Sequence, residues 1–167
     1  MKFPSVALLF LLAACATPPT PPGSVMVAPG VLFALPAPAA LGREVEAVQL
    51  VSARHGADIF TFEGHLSVTP ERVLLAGTDG FGQRLMEISW DGKTVSAHKA
   101  SFLPDALHPE NILADVMLIY WPEAAMRTDL GDKVVIERDR DPWNGHARLT
   151  NRAWDYEIDV RSSVVTP

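Results

Sequence analysis

The chain has 167 residues, 48% of them hydrophobic, and its 20 acidic against 14 basic residues give a formal net charge of -6. This length suits one domain with its own core and is short for two. Nucleic acid is excluded as an expected partner because the sequence has no clustered positive charge, and a single cysteine excludes an internal disulfide or a thiolate metal site.

Residues 1–14 predict an export signal that ends at a lipid attachment site. Lys2 supplies the positive charge, Val6–Leu12 the apolar stretch, and two alanines the small residues before a cut. The stretch is too short to cross a bilayer, which takes about 20 apolar residues. The sequence "LAAC" that ends at Cys15 matches the lipobox of bacterial lipoproteins. We therefore predict that Cys15 is lipidated and anchors the chain in a membrane; an ordinary cleaved signal or a buried cysteine are the alternatives.

The segment behind Cys15 predicts a tether. "TPPTPPG" at Thr17–Gly23 favours polyproline II, and "LPAPAALG" at Leu35–Gly42 continues the irregular lead-in. We therefore assign residues 15–42 to a Pro-rich tether and residues 43–167 to the folded domain. Ala16 stands where an aspartate would favour retention in the inner membrane of enteric bacteria. This predicts the outer membrane, on its periplasmic face.

The first half of the domain predicts antiparallel strands. "DIFTFEGHLSV" at 58–68 alternates, with large apolar side chains on one face and polar ones on the other. "RVLLAG" and "RLMEISW" follow as strands, separated by the glycine-containing reversal "TDGFGQ". Asp91-Gly92 then favours a hairpin turn into a further strand.

The second half predicts helix and then more strands. Pro109 suits the first helical position, apolar residues follow at helical spacing, and Pro122 ends the helix. A shorter helix is expected over Pro122–Leu130, and the closing segment "AWDYEIDVRS" alternates as a strand. This order predicts a single α+β domain, a curved antiparallel sheet with one or two helices covering one face.

The polar residues indicate no catalytic or metal site. The five histidines are widely spread, and no pair has the spacing of a helical zinc site. The sequence has no Gly-x-Ser-x-Gly elbow, and its only thiol is assigned to lipid. We therefore expect no enzyme, no metal and no cofactor, although a triad assembled only in space stays open.

Large apolar side chains are the remaining candidates. Two interpretations are open, a packed core or a cavity for a long hydrophobic ligand, because periodicity cannot separate them. The candidate cavity residues are Phe60, Phe62, Leu66, Met86, Ile88, Trp90, Leu113, Met117, Tyr120, Trp154, Tyr156 and Ile158.

A family resemblance enters with the middle of the chain. "RVLLAGTDGFGQRLMEISWDGKTVSA" followed by "LPDALHPENILADVMLIYWP", behind a lipobox and a tether, resembles the LolA/LolB-like outer-membrane lipoprotein superfamily. The resemblance implies a half-barrel whose concave apolar face is covered by helices and receives acyl chains. Related lipoproteins in that superfamily imply a polyene-like product as another cargo.

These observations lead to one expected function and two alternatives. We expect a periplasmic lipoprotein that binds or transfers a lipid, a lipoprotein acyl chain or a polyene-like hydrophobic molecule, with the membrane as its partner through the N-terminal lipid. The first alternative is a structural or assembly lipoprotein with a packed core and an envelope protein as partner. The second is an acyl hydrolase.

Overall fold

The structure, a computed structural model, describes residues 23–103, 107–126 and 128–165. The predicted export signal and Cys15 lie outside the described residues. The strands are β1 Ser24–Ala28, β2 Val31–Ala34, β3 Val45–His55, β4 Asp58–Val68, β5 Val73–Thr78, β6 Arg84–Trp90, β7 Val95–Lys99, β8 Val134–Arg138, β9 His146–Asn151 and β10 Tyr156–Val164. The helix is α1 Pro109–Tyr120, and short 3-10 turns cover Pro38–Leu41, Glu123–Ala125 and Pro142–Asn144.

Eight strands form one open antiparallel sheet in the order β7-β6-β5-β4-β3-β10-β9-β8, and β1 and β2 pair separately as a hairpin. Most strands that are neighbours in the large sheet are also consecutive in the sequence. The exception is β10, which lies between β3 and β9. The expected α+β class, with a curved antiparallel sheet that does not close, is confirmed.

The helix forms where proline and apolar spacing predicted it. Pro109 begins α1, where its missing N–H costs no helical hydrogen bond. Trp121, which precedes Pro122, is already extended with φ -75° and ψ 151°, because the proline ring disfavours helical geometry in the residue before it. The second helix expected over Pro122–Leu130 is wrong: its described residues contain only the 3-10 turn Glu123–Ala125. Short isolated helices are marginal without packing, and this turn buries no residue.

The folded domain starts before Arg43, so the predicted boundary is corrected. Residues 24–42 form the β1–β2 hairpin and a 3-10 turn, with Phe33 fully buried. Gly30 adopts φ 75° in the hairpin turn, which a side chain would disfavour. The indole N–H of Trp90 donates to the carbonyl oxygen of Pro36 at 2.8 Å. Pro36 and Pro38, which suggested a tether, are buried and therefore belong to the core, whereas the alanines between Leu35 and Gly42 are exposed.

One face of the sheet is buried at one end of its strands and exposed at the other end. We call it the inner face; on β4 it carries the alternate residues from Asp58 to Val68. At one end, here the closed end, the cross-strand row Val45, Val68, Val73 and Trp90 is buried. At the other, here the open end, His55 and Asp58 are opposite each other and exposed, and Phe60 is 42% exposed. The β1–β2 hairpin covers the closed end, since Gly23 lies against the Trp90 ring.

Candidate functional site

A cavity of about 520 Å³ lies between the inner face of the sheet and α1. Strands β3, β4 and β10 form its floor, and one side of α1 forms its roof. The apolar lining residues are Val51, Ala53, Phe60, Phe62, Leu75, Met86, Leu107, Ile112, Val116, Ile119, Trp154, Ile158 and Val160. The polar ones are Gln49, Arg54, His55, Asp58, His108, Asn111, Asp115, Tyr120 and Tyr156. A mostly apolar concave site with few polar groups is typical of a small-molecule site.

The cavity brings together part of the predicted set. Those that line it are Phe60, Phe62, Met86, Tyr120, Trp154, Tyr156 and Ile158. Those that lie in the packed core instead are Leu66, Ile88, Trp90, Leu113 and Met117, each no more than 2% exposed. The three strand residues of the second group share the inner face but lie toward the closed end. Alternation identifies a face of a strand, but it does not tell how far another element covers that face.

The helix residues were misassigned for a different reason. Leu113 and Met117 are fully buried and lie on the side of α1 away from the cavity, here the core side. The strands that α1 contacts include β1, β8 and β9. The cavity side carries Ile112, Val116 and Ile119. Because α1 is apolar on both sides, helical spacing alone could not indicate which side faces a cavity.

Strand β3 supplies the part of the floor that sequence analysis missed. Its inner-face residues Gln49, Val51 and Ala53 line the cavity. Ala53 is paired with Phe60 on one neighbour and with Ile158 on the other. The alternation in "VEAVQLVSARH" is a signal that could have identified this strand, and the small Ala53 leaves room between two large side chains.

Asp115 is a buried carboxylate in the cavity wall. The hydroxyl of Tyr156 donates to its two oxygens at 2.9 and 3.1 Å, which joins α1 to β10. Burial raises the pKa of Asp115 to about 7, and the hydrogen bond from Tyr156 opposes that rise. Burial also raises the pKa of Tyr156. The pair therefore places a group that titrates near neutral pH inside an apolar site.

A second polar group lies at the deep end of the cavity. The hydroxyl groups of Tyr120 and Ser162 are hydrogen bonded, and the side-chain amide of Gln49 donates to the Ser162 oxygen at 3.5 Å. All three residues are buried. Burial raises the pKa of Tyr120, so this network is uncharged around neutral pH. The Ser162 hydroxyl thus has Tyr120 and Gln49 as partners.

Two histidine–carboxylate pairs with the same 2.8 Å separation, His146–Asp159 and the exposed His65–Glu63, lie away from the cavity. His146 Nε2 and Asp159 Oδ2 are 2.8 Å apart, and Arg148 also contacts Asp159. Burial acts to raise the pKa of Asp159. The interactions with His146 and Arg148 together outweigh burial, so the pKa lies below its usual value. Neither partner lines the cavity. Within the described ranges, no three histidine, aspartate or glutamate side chains come together as a metal site.

The fold and the cavity define a class: an open antiparallel sheet with one helix over an apolar pocket. The model of a family described as "Protein of unknown function (DUF3261)" matches residues 46–142 of the chain. The chain therefore belongs to the DUF3261 family. The match includes β3, β4 and α1 and ends before β10, which carries Tyr156. No curated protein matches the sequence. None of the helices in the described segments has the length and hydrophobicity needed to span a bilayer.

Proposed function

We propose that this protein is a non-enzymatic carrier of a hydrophobic molecule, a lipid, a lipoprotein acyl chain or a polyene-like product, held between the sheet and α1. The observation that carries the proposal is the cavity of about 520 Å³ with its aromatic and aliphatic lining. Water makes few favourable interactions with such a lining. Binding of an apolar chain that displaces this water is therefore favourable, because apolar surface is buried. The predicted resemblance to the LolA/LolB-like superfamily is in keeping with this proposal and remains a prediction.

The cavity also favours the carrier over the two alternatives, a structural lipoprotein and an acyl hydrolase. A structural lipoprotein with a fully packed inner face would leave no such space, so the cavity favours the carrier over it. A hydrolase would need an activated nucleophile beside the cargo. The Ser162 hydroxyl instead contacts a phenol and an amide, and the His146–Asp159 pair lies outside the cavity. The carrier is therefore the function that the site supports best.

We also propose that Cys15 carries the lipid that anchors the carrier to the outer membrane, facing the periplasm. The support is the lipobox and the export signal in the sequence. Metabolic labelling with an alkyne fatty acid should mark the full chain and leave Cys15→Ser unlabelled. Density fractionation should then place the labelled protein with outer-membrane markers. Equal labelling of the two proteins would overturn the anchor.

The carrier proposal is tested by titration with a hydrophobic fluorescent probe. The titration uses the protein without its first 15 residues. This shortened protein keeps every described element and lacks the lipid attachment site. N-phenyl-1-naphthylamine should bind it saturably at one site, and decanol should displace the probe. Binding that does not saturate, or that matches a compact control protein without a cavity, would overturn the proposal.

A further inference from the structure

Asp115 is unusual among the groups that line the cavity. It is only 5% exposed, whereas the charged lining residues of β3 and β4 lie at the open end. The cavity is otherwise mostly apolar, and a buried carboxylate in such surroundings is costly unless it has a partner. A carboxylate there must therefore affect which molecules can enter.

No residue in the described part of the chain forms a salt bridge with Asp115. Its hydrogen-bond partner Tyr156 is a neutral donor. The lining cation Arg54 lies at the open end and pairs with Glu157 at 3.5 Å, on the far side of β3 and β10. Besides Asp115, the titratable and charged residues that line the cavity in the described part of the chain are Arg54, His55, Asp58, His108, Tyr120 and Tyr156. An ionised Asp115 would therefore be complementary to a ligand that brings a cation or an uncharged donor.

We propose that Asp115 makes the cavity selective for amphiphiles whose polar group is cationic or an uncharged hydrogen-bond donor, and excludes free fatty-acid anions. This inference rests on the proposed carrier function. A fatty-acid anion would place a second negative charge near a desolvated carboxylate, where repulsion is weakly screened. An ammonium or hydroxyl group would donate to Asp115 instead. Acyl chains in ester or amide linkage carry no charge and remain acceptable.

The experiment compares three ligands with the same decyl chain: decylamine, decanol and decanoate. Each displaces N-phenyl-1-naphthylamine from the protein without its first 15 residues, at pH about 8.5 and about 5.5, on either side of the Asp115 transition. At the higher pH, decanoate should bind roughly tenfold or more weakly than decanol, and decylamine at least as tightly as decanol. At the lower pH the difference between decanoate and decanol should shrink.

Two variants isolate Asp115. Asp115→Asn keeps a side-chain oxygen that can accept from Tyr156 but loses the charge, so the disadvantage of decanoate against decanol at pH about 8.5 should be clearly smaller than in the wild type. Glu110→Gln removes an exposed carboxylate from the same helix and should keep the selectivity. If Asp115→Asn fails to unfold cooperatively, Tyr156→Phe serves instead. It removes the hydrogen bond that stabilises the charged carboxylate, so decanoate and decanol should begin to differ only at a higher pH than in the wild type.

The outcomes separate this inference from the carrier proposal. Absence of saturable probe binding would overturn the carrier and the selectivity together. Probe binding with equal affinity for decanoate and decanol at pH about 8.5 would overturn the selectivity alone. Selectivity that persists undiminished in Asp115→Asn would also overturn it, because the rejection of anions would then come from another group.

Discussion

At the scale of single residues, the fold strongly changes the chemistry of Asp115. An aspartate in the unfolded chain has a pKa near 3.8, and burial raises the folded value to about 7. The folded state therefore binds a proton more tightly than the unfolded state. The resulting stabilisation is fully present below pH 3.8 and is lost as the pH rises through about 7.

The first prediction concerns the stability of Asp115→Asn. Between pH about 4 and about 7, Asp115 should lower the free energy of unfolding of the wild type by up to about 1.4 kcal/mol per pH unit. The asparagine variant lacks this contribution, so it should gain stability relative to the wild type as the pH rises. Urea denaturation across this range measures the difference.

Glu110→Gln is the control for that prediction, since Glu110 is exposed on the same helix and its removal should leave the pH profile of the wild type unchanged. A constant difference in unfolding free energy between wild type and Asp115→Asn at all pH values would contradict the assignment of a raised pKa to Asp115.

At the scale of elements, α1 has one side that packs into the core and another that lines the cavity. Leu113 and Met117 pack into the core, whereas Ile112 and Val116 line the cavity. The helix is thereby fixed by contacts that a ligand does not touch. Its cavity side can contact a ligand without a change in the packed side.

The second prediction follows from these two sides. Met117→Ala should lower the free energy of unfolding by about 2 to 5 kcal/mol, because a fully buried side chain is removed. Ile112→Ala, at a partly exposed position, should cost less than about 2 kcal/mol and should alter the affinity for N-phenyl-1-naphthylamine. Urea denaturation and probe titration of both variants separate stability from binding. The reverse ranking of the two stability losses would contradict the core assignment.

The β1–β2 hairpin and the residues that follow it, up to the 3-10 turn, are the second decisive element, because they supply both apolar packing and hydrogen-bond acceptors for buried donors. The carbonyl oxygens of Val27 and Pro36 accept from Asn151 and Trp90, and both donor residues are buried. Loss of such acceptors leaves buried donors unpaired, which is costly.

The third prediction concerns the start of the domain. A chain that begins at Arg43 should lose cooperative unfolding, because it lacks the buried Phe33 and both of these acceptors. A chain that begins at Ala16 should retain it. Urea denaturation followed by tryptophan fluorescence compares the two. Cooperative unfolding of the shorter chain with unchanged midpoint would show that the hairpin is dispensable.

At the scale of the whole molecule, the fold class could be predicted from local signals, and the site only in part. Strand β4 and helix α1 have the expected bounds, since strict alternation and flanking prolines are local features. The hairpin was missed because the Pro-rich stretches on either side of it led us to assign residues 15–42 to a tether, whereas Pro29-Gly30 is a turn between two strands. The cavity depends on where the hairpin and α1 stop covering the sheet, and that is decided by tertiary packing.

The first described residue and the cavity opening lie at opposite ends of the sheet. The described chain begins at Gly23, against Trp90 at the closed end of the sheet. The exposed residues His55 and Asp58 lie at the open end, at the far end of β4. Gly23 therefore lies at the end of the domain away from the cavity opening.

We propose that the hydrophobic ligand binds in the cavity and on no other surface. Two neighbouring substitutions on β3 test this proposal. Ala53→Phe places a ring in the cavity between Phe60 and Ile158, whereas Ser52→Phe places the same ring on the opposite face, beside Thr61 and Asp159.

The measurement is the affinity for N-phenyl-1-naphthylamine of the protein without its first 15 residues, with cooperative unfolding checked for each variant. We predict that Ala53→Phe weakens binding roughly tenfold or more and that Ser52→Phe keeps it within about twofold of the wild type. Unchanged binding in Ala53→Phe, or equal loss in the two variants, would contradict the claim that the ligand lies between the sheet and α1.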